Sequence, residues 1–245
     1  MTPEQVAAAS KPAVLALGEA YNRCPTTLRR ARLLGISGWA FYVTGRAGAL
    51  GDVRAETVAA ALGFIAPEAV ADGWDAAART VRPSEVAAAS LAECCRWGEE
   101  VLGDLSRVDR LAVLVERAVA AADASAMPLF AAWRAMPLDA ATPGARVAAG
   151  LRLLREHFTG AHLVAVRASG MTPLEAVLAG PEGASGAMAC GWPPPYPPVG
   201  PLVRRRLWAE AMTDRLVAPA FTAFGPTEGA ELVELVTVAR THAEG

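Results

Sequence analysis

Apolar residues recur along this chain at the spacing of helices, not of strands. Leu111, Leu114, Val115, Ala118 and Val119 stand three or four apart and mark one face of a helix. Start signals are frequent. Thr2-Pro3-Glu4-Gln5 offers an N-cap, a proline at the first position and a glutamine at the third, and Thr172-Pro173-Leu174-Glu175 repeats that logic. Ser84 with Glu85 opens a helix towards Leu102, Asp104 or Ser106 caps the next, and Thr142-Pro143 opens the segment that reaches His157. His162–Arg167 is the best strand candidate, short and equally readable as helix. The pattern predicts a mainly α protein, a helical bundle with few or no strands, under about a tenth of residues against the ordinary quarter to fifth.

One segment breaks the pattern. Gly180–Gly200 holds five glycines and six prolines and includes Trp192-Pro-Pro-Pro-Tyr196. Proline removes a backbone donor and fixes φ, so neither helix nor central strand is expected there. The expected organisation is a helical part over residues 1–180, a Pro/Gly-rich connector over 181–200 and a C-terminal helical segment over 201–245 that packs on the first part, or a single domain overall.

Composition narrows the function classes. Hydrophobic residues make up 53% and aromatic ones only 6%, so alanine, leucine and valine must fill the core. Net charge is −2 and the isoelectric point about 6.0, and the one tight basic cluster is Arg204, Arg205 and Arg206. A nucleic-acid binder usually carries a basic excess, so specific DNA binding is not expected. The four cysteines form no C-x-x-C pair and read as reduced thiols of a cytoplasmic protein. No apolar run reaches membrane length, and membrane association is not expected.

Several residues carry candidate chemistry. Arg46 stands in Gly45-Arg-Ala-Gly48, read as a glycine-rich turn where a guanidinium can clamp a carboxylate, sulfate or phosphate through two parallel bonds; the alternative is a pair with a helix carboxylate. Asp52 lies six residues on, as a candidate catalytic carboxylate or the cap of a helix beginning near Arg54. His157 and His162 are candidate acid–base groups, the first read as ending a helix and the second as following a glycine-containing turn; helix capping and core hydrogen bonding are the alternatives. Their spacing of five does not place both on one helical face, unlike the histidines of a zincin, and no metal site is expected. Tyr42 shares a helix face with Trp39. With Arg46, Trp192 and Asp214 it makes up the expected substrate-contacting set, Asp214 being either on a wet face or paired with arginine. No phosphate loop, nucleophile elbow or dinucleotide fingerprint is present, and no cofactor is expected.

Four stretches together resemble the SalK-like helix-turn-helix family of actinobacterial proteins. They are Gly38–Gly51 with Val53–Val58 and Gly63–Pro67, then Leu154-Arg-Glu-His157 with His162, then Gly191-Trp192, then Thr213-Asp214. Order and rough spacing agree from about residue 28 to residue 225. The resemblance implies descent from a helix-turn-helix or winged-helix architecture. The departures are equally informative. The family usually has proline where this chain has Asp52, Arg-Gly-Asp-Gly where it has Phe158-Thr159-Gly160-Ala161, and arginine where it has Cys190. Only Pro193–Met212 separates the last two stretches, too little for the family's recognition-type helix and winged hairpin.

These features favour a cofactor-independent enzyme of specialised metabolism acting on a small polar or anionic substrate. Its most specific form is a lyase or cyclase performing an intramolecular displacement, with loss of an oxyanion such as sulfate. A helix-turn-helix regulator and a non-catalytic subunit of a hetero-complex are the alternatives. The shortened segment is expected to leave apolar surface near Leu202, Leu207, Trp208 and Leu216, covered by a homodimer or a small companion subunit, with Trp192 and Tyr196 as anchors.

Overall fold

Proline decides where most of the helices begin. The computed structural model describes the whole chain, Met1–Gly245, 76% of it helical and none of it strand. Its helices are α1 (Pro3–Ala20), α2 (Pro25–Leu33), α3 (Gly38–Ala47), α4 (Ala55–Leu62), α5 (Pro67–Ala78), α6 (Pro83–Leu102), α7 (Val108–Ala121), α8 (Pro128–Ala135), α9 (Pro143–Ala168), α10 (Pro173–Leu178), α11 (Gly183–Ala189), α12 (Val203–Val217) and α13 (Pro226–Glu244). Eight of the thirteen open on proline, whose missing N–H would have been unpaired there in any case. Thr2 with Gln5 and Thr172 with Glu175 form reciprocal capping boxes, and the Thr142 hydroxyl accepts from the N–H of Ala145.

The 26-residue α9 is the axis of the fold. It packs against α1, α6, α7, α8 and α12, and its Leu151, Leu154 and Phe158 are buried in the main core with Leu114, Val115 and Phe130. Each such side chain contributes roughly 1.5–3 kcal/mol of transfer free energy. A smaller core holds α3, α4 and α5 around Val43, Leu62 and Trp74. α12 lies on α9 and α1, and α13 runs against α1. With so few aromatic residues, backbones approach closely. At the α6–α9 crossing, Gly98 faces Gly144, and a Cβ at Gly98 would overlap the Gly144 carbonyl and the Ala148 methyl.

Several local expectations change. His162–Arg167 is helix, not strand, because α9 runs unbroken from Pro143 through Gly160 to Ala168. His157 therefore does not end a helix and His162 does not follow a turn. Neither Asp104 nor Ser106 caps α7; its N-cap is Arg107, in a left-handed conformation at φ 66°. Gly180–Gly200 is not helix-free, since its proline-poor stretch Gly183–Ala189 forms α11. Only the part from Trp192 onward is the irregular strip, held by Trp192 Nε1 donating to the Phe64 carbonyl at 2.9 Å and by Tyr196 Oη donating to the Trp192 carbonyl at 2.7 Å.

The α6–α9 crossing has no room for a side chain at position 98. Gly98→Val is expected to lower stability by about 1–3 kcal/mol, read as a lower midpoint in urea unfolding followed by circular dichroism. An unchanged midpoint would show that the two helices can part without cost.

Candidate functional site

α9 carries a buried polar ridge, and its members decide where a ligand can and cannot go. Glu156 is 2% exposed and meets Arg46 in a forked pair, Nε to Oε1 at 3.0 Å and Nη2 to Oε2 at 2.8 Å. Arg155 adds a bond from Nη1 to Glu156 Oε1 at 3.0 Å and reaches Glu19 on α1 at 2.7 Å through Nη2. Burial alone would push the Glu156 carboxyl up, but the guanidinium groups of Arg46 and Arg155 override it and hold it at about 2. The same carboxylate outweighs burial at Arg46 and raises its pKa.

Arg46 thus takes the structural alternative. Its fork is closed on Glu156, and the surrounding glycines are not a ligand turn. Residues 38–47 are α3, and a Cβ at Gly45 would lie 2.9 Å from Ser90 Oγ, so Gly45 serves the close approach of α3 to α6.

The open space lies on the other side of Arg155. A cleft of about 640 Å³ is bounded by α1, α9 and α12 and lined by Lys11, Glu19, Arg155, His162, Arg206 and Glu210. It meets a second hollow of about 350 Å³ at Glu19, where Trp39 and Tyr42 stack with ring centroids 5.7 Å apart. Lys11, the only lysine, bonds Glu210 at 2.9 Å and Asp214 at 2.7 Å. Arg206 bonds the Ala179 carbonyl at 2.8 Å and stands 3.6 Å from Glu210. Burial lowers the Lys11 pKa, but the bonds to Asp214 and Glu210 outweigh it and leave a firm cation.

His162 is the one side chain in the cleft with an unoccupied basic atom. The Thr213 hydroxyl donates its single proton to the Ala209 carbonyl at 2.7 Å, so it can only accept from His162 Nδ1, 2.9 Å away. That fixes the Nδ1–H tautomer. Nε2 keeps its lone pair and makes no bond within the protein. Burial lowers the pKa of the ring, Glu210 partly opposes this, and Lys11 and Arg206 lower it further, so the ring is neutral near pH 7. Phe64 stacks on it at 5.4 Å.

The expected site residues therefore separate. His162 lines the cleft, Tyr42 lines the neighbouring hollow that shares Glu19 with it, and Asp214 braces Lys11 beside the cleft. Asp52 is exposed away from the cleft and does not cap α4, whose N-cap is Arg54. His157 is buried, with Nε2 donating to the Asp123 carbonyl at 3.0 Å and Phe130 at 4.9 Å. Trp192 is half-buried at the base of the proline strip. Leu202 is buried, whereas Leu207 and Trp208 are exposed. Lys11, Glu19, Arg155, Arg206, Glu210 and Thr213 were missed as a group. The signals were the singular lysine and the four-residue spacing of Glu210 and Asp214, which puts two carboxylates on one helix face.

The architecture is that of an all-α bundle with no group of three or more His, Cys, Asp or Glu placed to hold a metal ion. No helix is long and apolar enough to cross a membrane. A model described as a helix-turn-helix family matches residues 11–195, and the chain belongs to that family. No curated protein and no solved structure matches the chain. The matched region begins at Lys11 and stops before α12, so Arg206, Glu210 and Thr213 lie outside it.

Glu156 is depressed from an ordinary 4.5 to about 2. Its contribution to stability is therefore complete above about pH 4.5 and lost as pH falls through about 2. The protein is expected to lose stability across that window. Glu156→Gln should be less stable at neutral pH by about 3–5 kcal/mol, because it leaves Arg46 buried without a counter-charge and Arg155 with Glu19 alone, and should show a flatter acid response. Urea midpoints at several pH values test both; equal midpoints for the two chains at pH 7 would remove Glu156 from its central place.

Proposed function

We propose that the α1–α9–α12 cleft binds a small polar molecule of specialised metabolism and that His162 is the general base of a reaction needing no cofactor. The observation that carries this is the His162–Thr213–Ala209 chain, which orients a neutral imidazole with Nε2 free towards the cleft. A base must be unprotonated, positioned and reachable, and His162 meets all three conditions. Lys11 and Arg206 beside it supply positive charge for an anion that develops during reaction, whereas Arg155 is committed to Glu156 and Glu19.

The most specific form of the proposal is an intramolecular displacement. His162 Nε2 takes the proton from an amine or hydroxyl of the substrate, and the freed lone pair attacks a carbon of the same molecule. The bond from that carbon to its oxygen substituent breaks, a ring closes, and an oxyanion such as sulfate leaves, held by Arg206 and Lys11. This assigns to Arg206 the anion-holding part first expected of Arg46. Tyr42 and Trp39 border the far end, where they offer aromatic faces to the remainder of the substrate.

The second reading is a transcription regulator, favoured by the family's description and by the exposed Arg204 and Arg205 on α12. A gel-shift titration against the gene's own upstream region at moderate salt separates the two. Nanomolar, sequence-dependent binding would support the regulator.

Two measurements test the base. Nitrogen-detected NMR should give the Nδ1–H tautomer for His162 and a pKa below its ordinary 6.5. A metabolite accumulating in a strain without the gene should be converted by the purified chain. His162→Gln should slow that conversion by about 10²–10⁴-fold while the unfolding midpoint holds. Turnover equal to that of the parent would rule out His162 as the base.

A further inference from the structure

α9 borders a second cavity on its opposite flank, of about 320 Å³, between α4, α8 and α9. Its wall is mostly apolar, from Leu50, Ala61, Met127, Leu129, Leu163 and Val164. Three polar side chains line it, Glu156 and Thr159 on α9 and the exposed Thr57 on α4, and no lysine or arginine does. The volume is at the lower end of the range for small-molecule sites, and an apolar wall with a few converging polar groups is their usual make-up.

The hydrogen-bond inventory gives the sign of the missing partner. A carboxylate has about four acceptor positions, and Glu156 uses three, two on Arg46 and one on Arg155. Thr159 sits inside a helix, where a hydroxyl ordinarily bonds back to the carbonyl four residues earlier. Thr213 and Thr237 do this at 2.7 Å; Thr159 makes no hydrogen bond within the chain. One acceptor and one hydroxyl are therefore open at the edge of a mostly apolar pocket. Arg46 and Arg155 compensate the charge of Glu156 through bonds already made, so what remains for a ligand is an acceptor position.

We propose that this α4–α8–α9 cavity is a binding site for a small, neutral, mostly apolar molecule of one or two rings carrying a hydroxyl donor, which Glu156 and Thr159 receive. An anionic ligand fits less well, because it brings no proton to Glu156 and meets no lining cation. The site shares only Thr159 with the polar cleft, so it is a second site and does not rest on the reading of His162.

The probe is 2-naphthol, with naphthalene and 2-naphthoate as comparisons, titrated by calorimetry into the full chain near pH 7. The expected result is saturable one-to-one binding of 2-naphthol, with naphthalene about tenfold weaker for want of the hydrogen bond and 2-naphthoate weaker still. Ala60→Trp places a large ring at the exposed rim on α4 and should abolish binding while the unfolding midpoint stays within a few degrees of the parent. Should that variant fail to fold, Thr159→Val serves: it should shrink the preference for 2-naphthol over naphthalene. The exposed Leu207 and Trp208 offer an adventitious apolar surface, so Leu207→Ser should leave binding intact. The proposal is overturned by no saturable binding, by unaltered binding in a folded Ala60→Trp chain, by loss of binding in Leu207→Ser, or by 2-naphthoate binding as tightly as 2-naphthol.

Discussion

The carboxylate of Glu156 is the constraint on which the rest of the structure depends. A charge of this kind is costly to bury unless its partners are in place, and its partners come from two directions. Arg46 brings α3 onto α9, and Arg155 links the carboxylate to Glu19 on α1. One turn earlier, Arg152 is buried with no carboxylate at all. It bonds the hydroxyls of Tyr21 and Ser90 and the carbonyl of Gly45, and it lies 3.8 Å from the centre of the Trp133 ring. Dipoles and an aromatic face take the place of a counter-ion there. Between them, Arg152, Arg155 and Glu156 fix α1, α3, α6 and α8 around α9. A slip of any of these helices would leave a charge in the core unpaired.

The same ridge produces the cleft. Arg152, Arg155, Thr159 and His162 follow one another by three, four and three residues and so share a face of α9. At its N-terminal end that face is sealed beneath α1, α3 and α6. At His162 it is covered by α12 and by Phe64, and the polar side chains there line the cleft. Rotated by about one position, Glu156, Gly160 and Leu163 border the apolar cavity. One helix thus separates a charged compartment from an apolar one, and the buried ion pairs lie between them.

Much of the fold was legible because helix starts are written locally. The Thr-Pro-x-Glu/Gln boxes and the Pro-led turns need no tertiary information, and they placed α1, α9 and α10 correctly at their N-termini. The end of α9 was not legible. Gly160 and the apolar run after it suggest a break, but the helix continues because Ala161, Ala165 and Val166 are buried on the neighbouring elements. The candidate site was legible only in part. His162 and Tyr42 stand out as residue types, whereas Lys11, Glu19 and Glu210 look like ordinary surface charges until α1, α9 and α12 are assembled. Arg46 misled for a related reason. Glycines beside an arginine fit a ligand turn as well as they fit a close helix crossing, and only the position of Ser90 on α6 decides between them.

His157 and His162 show why a shifted pKa does not by itself identify a base. Burial lowers both, and both ride on the same helix. The carbonyl of Asp123 can only accept, so His157 Nε2 carries its proton, and Nδ1 is left inside the core without a partner. No substrate reaches that atom, and its basicity serves nothing. In His162 the order is reversed: the anchored nitrogen is Nδ1, and the free one faces the cleft. What separates the two is which nitrogen donates the single hydrogen bond, fixed in one case by a loop carbonyl and in the other by a threonine whose own proton is already committed to α12.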